Sequence, residues 1–428
     1  MKNSLKNILT KIFVKQANAI LVKYNPKVVV VAGSVGKTST KLAVAKILSN
    51  KYKVQYENGN YNVPLSVPFV VTGQRLPGLY SLTGWLKAWR KGQRILKNGY
   101  DYDVVVLEYG VDHIGEMMEF SEICQPDIAV LTAISPEHME FFKTLENVAK
   151  EELAVTNFAK KILINSETTD IKFVGMFARE GTNIQYYGSN QSDYLIESTT
   201  NDFGFLNISV ADNSGNIICQ SSTKMLGIHS LSSLAVASII ASEFGMQKPE
   251  IEQAVAEYNN PYGRMSVLNG KNNSTIIDDT YNASPLATIA GLTTLYEMPA
   301  TKKIALLGNM NELGDYSVQA HQEVGQFCDK QKLDLIITLG EDANNYLAES
   351  AEANGCKVIR TTSPLQAGQI ILDELTDGAV IFAKGSQNGV YAEEAVKLML
   401  ADPADAQKLV RQTKEWLNKK NNQFPGVV

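Results

Sequence analysis

Residues 27–40, Lys-Val-Val-Val-Val-Ala-Gly-Ser-Val-Gly-Lys-Thr-Ser-Thr, constrain this chain more than any other stretch. The β-branched run predicts a buried parallel strand. Gly33 and Gly36 let the backbone turn tightly and aim its N–H groups inward. Lys37 can reach the β- and γ-phosphates of a nucleotide, and the Thr38 hydroxyl can ligate Mg²⁺. The helix expected from Thr38, with Leu42, Val44, Ala45, Ile47 and Leu48 at apolar positions, turns its positive end toward the same anion. Position 31 is Val where the common GxxxxGK[ST] loop has its first Gly, so this is a compact variant. The plain alternative is a glycine turn beside a surface lysine.

A chain of 428 residues holds two or three domains with ample core. Its 44% hydrophobic and 20% charged fractions are those of a globular protein. No run of 18 apolar residues predicts a membrane-spanning helix. Lysines interrupt every apolar stretch near the N-terminus, which argues against a signal peptide. Cys124, Cys219, Cys328 and Cys356 are isolated from one another, a pattern of neither metal ligands nor disulfides, as expected in a reducing cytosol. The net charge of −5 hides an asymmetry: residues 1–100 carry 17 Lys and Arg against one acid, Glu57. That positive end can face ATP, an anionic substrate or a membrane surface. Nucleic acid is not an expected partner.

Residues 2–23 predict an amphipathic helix, with Leu5, Ile8, Leu9, Ile12, Phe13, Ala17, Ile20 and Leu21 at helical spacing. Strands are expected near 28–32, 103–109 and 127–132, with helices between. Residues 161–222 predict the tail of that sheet plus an antiparallel patch, followed by helices near 229–244 and 249–258. Asn259 to Gly263 marks a domain joint. Strand–helix alternation then resumes, with strands near 275–278, 303–307, 334–338 and 379–383. The expected class is α/β: residues 1–27 an N-terminal helix, 28–260 a P-loop domain on a mostly parallel sheet, and 261–428 a Rossmann-like α/β domain.

Ligands bind at the C-terminal ends of strands in open parallel sheets. The strand ending in Glu108 puts a carboxylate there, in position to hold Mg²⁺ beside Thr38. The next strand ends near Ser135-Pro-Glu-His138, so two successive strands deliver Glu and His to one edge. A neutral imidazole is a legitimate ligand for a divalent ion. Taken singly, each is equally a solvated acid or a structural histidine.

The strings around these residues resemble the Mur ligase superfamily, and its MurF-like branch most of all. They are AGSVGKTST (32–40), NGNYNVPLSVP (58–68), LEYGVDHIGE (107–116), SPEHMEFF (135–142), GIHSLSSLAVA (227–237), Gly263-Arg264, DDTYNASP (278–285), LLGNMNELGDYSVQAHQEVG (306–325) and AKGS (383–386). The resemblance implies ATP-dependent formation of an amide bond: ATP phosphorylates a substrate carboxylate, and an amine attacks the acyl phosphate. The partners it implies are a carboxylate acceptor and an amino acid or dipeptide, in cell-wall peptide assembly in the cytoplasm. Gly33, Ser34, Gly36, Lys37, Thr38 and Ser39 would cradle ATP. Thr38 and Glu108 would hold one Mg²⁺, and His138 a second. Arg264 would meet the phosphates, Asp279 the ribose, and Tyr281 and Asn282 the adenosine. Asn60, Asn62 and His113 would line the acceptor side, and Lys384 and Ser386 would meet the incoming amine. His321 gains only a structural role.

Four departures from the family pattern matter. Only 27 residues precede the first strand, too few for the N-terminal fold that grips UDP in such enzymes, so a partner supplying that domain is one expectation. Many relatives carry a carbamylated lysine fourteen residues after the metal-site histidine. Here that position is Glu152, a ready-made carboxylate ligand, with Lys150 a rival and a plain surface acid the bland reading. The second Asn of GxHNxxN becomes Ser233, which reaches adenine less well. KGSR becomes Lys384-Gly-Ser-Gln387, losing a cation that would hold a carboxylate. Residues 73–102 add a basic segment with Tyr80, Trp85 and Trp89. With residues 1–23 it resembles an interfacial membrane signature, implying a peripheral contact at the inner face of the membrane. The competing expectation is that the two helices pack together. A ligase with another acceptor (lipid-linked, folylpolyglutamate-like or cyanophycin-like) and an inactive nucleotide-binding scaffold remain alternatives.

Overall fold

Every residue of the first strand after Lys27 is buried, which requires a layer on each face of its sheet. The computed structural model describes residues 2–59, 61–200 and 205–426 and supplies both layers. The strands are β1 (Lys27–Ala32), β2 (Val54–Gln55), β3 (Val104–Glu108), β4 (Ile128–Leu131), β5 (Lys161–Asn165), β6 (Asn183–Gly188), β7 (Tyr194–Thr200), β8 (Leu206–Asp212) and β9 (Ile217–Ser222). They form one sheet in the order β2-β3-β1-β4-β5-β6-β7-β8-β9. It is parallel from β2 through β7 and antiparallel from β7 to β9. The antiparallel patch expected near residues 161–222 is thus the edge of the same sheet.

Helix α1 (Lys2–Tyr24) sets Val14, Ala17, Ile20 and Leu21 against the face carrying Val28, Val30 and Ala32. Helix α2 (Lys37–Leu48) and the Ile228–Glu243 helix cover Val29 and Val31 on the other face. Helix α3 (Val67–Val71) supplies Phe69, whose ring lies 4.8 Å from Phe13 and 5.8 Å from Trp85. Trp85 belongs to α4 (Leu82–Asn98), which runs beside α1. Gln16 Nε2 donates to Trp89 O at 3.0 Å, and the Tyr24 hydroxyl to Ile95 O at 2.9 Å. The two basic helices therefore pack on each other, burying part of each apolar stripe.

The second sheet holds β10 (Ser266–Asn269), β11 (Thr275–Asp279), β12 (Lys303–Gly308), β13 (Leu335–Leu339), β14 (Val358–Thr361) and β15 (Val380–Lys384), in the order β10-β11-β15-β12-β13-β14. All but β10 are parallel. β2, β10 and β14 are the strands that sequence patterning did not anticipate. They are short edge strands with polar residues among them, and pairing with a neighbour rather than burial defines them.

The last helix, Lys414–Gln423, is fastened by a buried charge cluster. Lys420 lies 2.8 Å from Glu393 and 2.5 Å from Glu394, and Arg411 pairs with Glu393 at 2.7 Å.

Candidate active site

The chain leaves β1 toward β2 and β3 on one side, then crosses to β4 on the other, so the loop after β1 sits where the connections change direction. That loop depends on glycine. Gly33 has φ +117°, and a Cβ there would stand 2.5 Å from Thr132 Oγ1 and 2.8 Å from the Ala133 nitrogen. Gly36 has φ +88° and opens α2, whose first turn contains no acid. Ser34 is latched to the loop after β4: its N–H donates to Ala133 O, and its hydroxyl accepts the Ser135 N–H at 3.0 Å.

Glu152, on the Leu145–Leu153 helix, lies beneath this loop and accepts the Gly33 N–H at 2.8 Å through Oε2. Burial pushes its carboxyl up to about 7, against the opposing pull of Lys37. Lys37 donates to Gly33 O at 2.5 Å and Ser34 O at 3.0 Å, and meets Glu137 at 3.1 Å. Burial lowers the ammonium's pKa, but the carboxylates of Glu137, Glu152 and Glu108 outweigh it and hold Lys37 above the ordinary lysine value.

Val31 and Glu108 are register partners on β1 and β3, which brings the Glu108 carboxylate to the start of α2. Thr38 donates to Glu108 Oε1 at 3.2 Å, and Asn62 Nδ2 approaches the same oxygen at 3.4 Å. Glu108 Oε2 is buried and receives no well-aligned hydrogen bond, although the Lys41 ammonium stands 3.0 Å away. Mg²⁺ takes one or two carboxylates and keeps several waters, so a hydroxyl beside a buried carboxylate fits that ion, with Lys41 holding the second oxygen. Lys41 escaped the sequence reading. One helical turn beyond Lys37, its side chain is buried against Glu108.

His138 has left-handed backbone, φ +49°, and three carboxylates around its ring. Asp112 is 3.1 Å and Glu137 3.8 Å from Nε2, and Glu312 is 3.3 Å from Nδ1. No hydrogen bond or ion pair joins His138 to Glu152. Among the described residues no three His, Cys, Asp or Glu converge as a ready-made metal centre. Glu312 comes from the loop after β12, so its contact with His138 ties the two domains together.

The second domain completes the cleft. Asp279 and Lys384 are register partners at the ends of β11 and β15 and form an ion pair. Asp279 Oδ1 also accepts the Met265 N–H at 3.2 Å, and Lys384 donates to Asn282 O at 3.0 Å. The Arg264 guanidinium stacks 4.0 Å from the centre of the Tyr281 ring. Arg411 holds the same loop from behind, donating to Tyr281 O at 2.9 Å and Thr280 O at 2.7 Å. Ser386 accepts the Asn311 N–H at 2.9 Å and is buried. Ser233 bonds Thr40 at 3.1 Å, on the far wall of the loop helix.

One cavity of about 470 Å³ is lined from both domains by Ser34 to Thr40, Asn62, Glu108, His138, Ser233, Arg264, Asp279, Tyr281, Asn282, Lys384 and Gln387. Its size is that of a small-molecule site. Glu152 and Ser386 support its walls from behind. His113 does not line it. That ring is exposed, packed at 4.4 Å on Phe141 and 3.3 Å from Glu116. Asn60 lies outside the described residues. His321 is wholly structural: Nε2 accepts the Met310 N–H at 3.0 Å, Nδ1 meets Ser317 O at 2.8 Å, and burial lowers its pKa.

Residues 31–241 match the Mur ligase middle domain, and residues 263–387 match the glutamate ligase domain of Mur ligases. The chain is 25% identical over 395 residues to the UDP-N-acetylmuramoyl-tripeptide–D-alanyl-D-alanine ligase of Bacillus subtilis, spanning 90% of this chain and 79% of that protein. The Haemophilus influenzae protein of the same name is 27% identical over 331 residues, spanning 75% of this chain and 65% of that protein. Among solved structures, the Thermotoga maritima MurF ligase in complex with ADP superposes with a TM-score of 0.74 at 23% identity, over 91% of this chain and 83% of that one. MurF from Acinetobacter baumannii superposes with a TM-score of 0.72 at 21% identity, over 94% and 80%. At these identities the structural likeness speaks for the fold.

Proposed function

Because this chain belongs to the Mur ligase family, we propose that it couples ATP to amide-bond formation in peptidoglycan precursor assembly. The acceptor we propose is UDP-N-acetylmuramoyl-tripeptide and the amine D-alanyl-D-alanine, as the names of its relatives read. The observation that carries the ligase reading is the meeting of Thr38 and Glu108 at the mouth of the Gly33–Lys37 loop, in one cleft with Arg264 and Lys384.

The γ-phosphoryl group passes to an oxygen of the acceptor carboxylate, releasing ADP. The amine nitrogen then attacks the acyl carbon, phosphate leaves and the nitrogen loses a proton. Such chemistry needs position and charge neutralisation more than covalent help. Lys37 would track the transferred phosphoryl group, and the N-terminal turn of α2 would face the anion with its free N–H groups. Thr38 and Glu108 would hold Mg²⁺, which supplies positive charge beside the phosphates. Arg264 would approach the phosphates from the second domain, Asp279 the ribose, and Tyr281, Asn282 and Ser233 the adenosine. Asn62 would serve the acceptor and Lys384 the incoming amine, with Ser386 bracing the wall behind Lys384 and His113, exposed outside the cavity, playing no direct part. Glu152 would order the loop through Gly33 and leave Oε1 for a cation. The reading places the protein in the cytoplasm. No described helix is long and apolar enough to cross a membrane.

One observation favours a second reading of the amine. Gln387 lines the cleft at the position where the family string places an arginine, so an amine without a matching carboxylate fits there equally well.

Phosphate release from ATP and Mg²⁺, measured across a matrix of acceptors and amines with Lys37→Ala as control, tests both. Turnover that requires UDP-muramoyl tripeptide and D-alanyl-D-alanine together supports the first reading. Turnover with another pair moves the substrate, and nucleotide binding without turnover under any pair overturns the ligase.

A further inference from the structure

Helices α1 and α4 meet along a seam with unusual chemistry on its solvent side. Phe13 packs on Trp85, Gln16 bonds Trp89 O, and Tyr24 bonds Ile95 O, so the helices run side by side in the same direction. Their inner faces are satisfied by Phe13, Phe69, Trp85 and Ala88. Their outer faces are not.

Leu5, Ile8 and Ile12 recur at helical spacing on α1, and Leu82, Leu86 and Trp89 do so on α4. All six are exposed, Ile8 by 55%, Leu82 by 82% and Trp89 by 43%. At 100° per residue, each stripe falls on the flank of its helix that adjoins the other helix and faces solvent. The pairing of Phe13 with Trp85 and of Gln16 with Trp89 O sets the first half of α1 beside the first half of α4, which carry these stripes. The two exposed stripes therefore lie on adjoining helices and together make an apolar ridge.

Exposed cations border the ridge: Lys11 and Lys15 on α1, and Arg90, Arg94 and Lys97 on α4. None of these five appears in an ion pair among the described residues. Neither helix contains an acid. A helix that merely needs solubility mixes its charges, whereas here only one sign is present. Apolar side chains with a tryptophan, rimmed by unpaired cations, match the boundary between headgroups and acyl chains of an anionic bilayer.

We propose that the α1–α4 face docks on an anionic lipid surface, with the ridge entering the interface and the five cations on the headgroups. The inference does not depend on the ligase reading, since no ridge residue lines the catalytic cleft.

The test is co-sedimentation of the full chain with vesicles of phosphatidylcholine alone or with about 30% phosphatidylglycerol, at salt from about 50 to about 500 mM. The expected result is binding to the anionic vesicles at low salt, at least about tenfold weaker on the neutral ones and weakened again by salt. Trp89 emission should shift to the blue on binding, and Trp89→Phe should remove that shift. Ile8→Glu with Leu82→Glu, or Arg90→Glu with Arg94→Glu and Lys97→Glu, should abolish binding while leaving the circular dichroism melt and ATP turnover unchanged. Absence of vesicle binding by the wild-type chain at low salt overturns the proposal. So does vesicle binding that survives Ile8→Glu with Leu82→Glu. Self-association broken by Leu82→Glu, or DNA binding, in the absence of vesicle binding would reassign the face to a second copy or to a polyanion.

Discussion

Glu152 Oε2 accepts the Gly33 N–H at 2.8 Å, so a buried helix carboxylate holds the first glycine of the phosphate-binding loop from below. Removing it in Glu152→Ala leaves a buried donor without a partner, which costs about 1–3 kcal/mol. The loop also loses its support. We expect a lower melting temperature together with a raised KM for ATP, while Glu152→Gln, which keeps an acceptor oxygen, recovers most of the stability. Equal losses in both variants would show that the charge matters rather than the hydrogen bond.

Lys41 and Glu108 form a buried pair, and Lys41→Met strips Glu108 of its nearest cation. Breaking a buried pair from one side typically costs about 3–5 kcal/mol. Because Glu108 also faces Thr38, Mg²⁺ with ATP should restore part of that loss. Thermal melts of Lys41→Met with and without Mg²⁺ and ATP check this. A deficit that Mg²⁺ fails to shrink beyond its effect on the wild type would remove Glu108 from the metal site.

Asp278, buried on β11, accepts the Thr280 N–H and hydroxyl through Oδ1 and leaves Oδ2 unpartnered. Burial pushes its carboxyl up to about 6, and the Thr280 hydrogen bonds only partly offset this. The folded state therefore binds the proton more tightly than the unfolded chain, and stability falls as pH rises from about 4 through 6. Asp278→Asn should lose that slope and exceed the wild type above pH 6 by up to about 3 kcal/mol. Urea unfolding at acidic and neutral pH measures it, and an unchanged slope in the variant would refute it.

Lys420 is wholly buried between Glu393 and Glu394. Lys420→Met leaves two carboxylates with too little positive charge and should cost about 3–5 kcal/mol. Adding Glu394→Gln should return much of it, read by denaturant midpoints.

The strands that frame the cleft were legible because parallel strands buried on both faces leave unbroken aliphatic runs, as in Val28 to Val31. Glu108 was legible as the polar residue ending such a run, and Gly33 as the turn that follows. Lys41, Asp112 and Glu312 were not, since each matters only through a neighbour far along the chain. Nothing local to Glu312 says that it meets His138 across a domain boundary. The N-terminal helix showed its periodicity, with packing on the 73–102 helix one of two expectations; an apolar stripe does not say which half faces the core, and the Phe13–Phe69–Trp85 cluster makes that choice. Arg411 lay beyond every motif, and only the folded chain reveals its bonds to Thr280 and Tyr281.

Those bonds have a thermodynamic corollary. Arg411 joins the loop of Thr280 and Tyr281 to Glu393, and Glu393 in turn holds Lys420 of the final helix. Fraying of that helix and loosening of the loop are therefore coupled equilibria, and linkage makes the coupling reciprocal. Any ligand that tightens around Tyr281 slows amide exchange in the Lys414–Gln423 helix, although the helix never touches it.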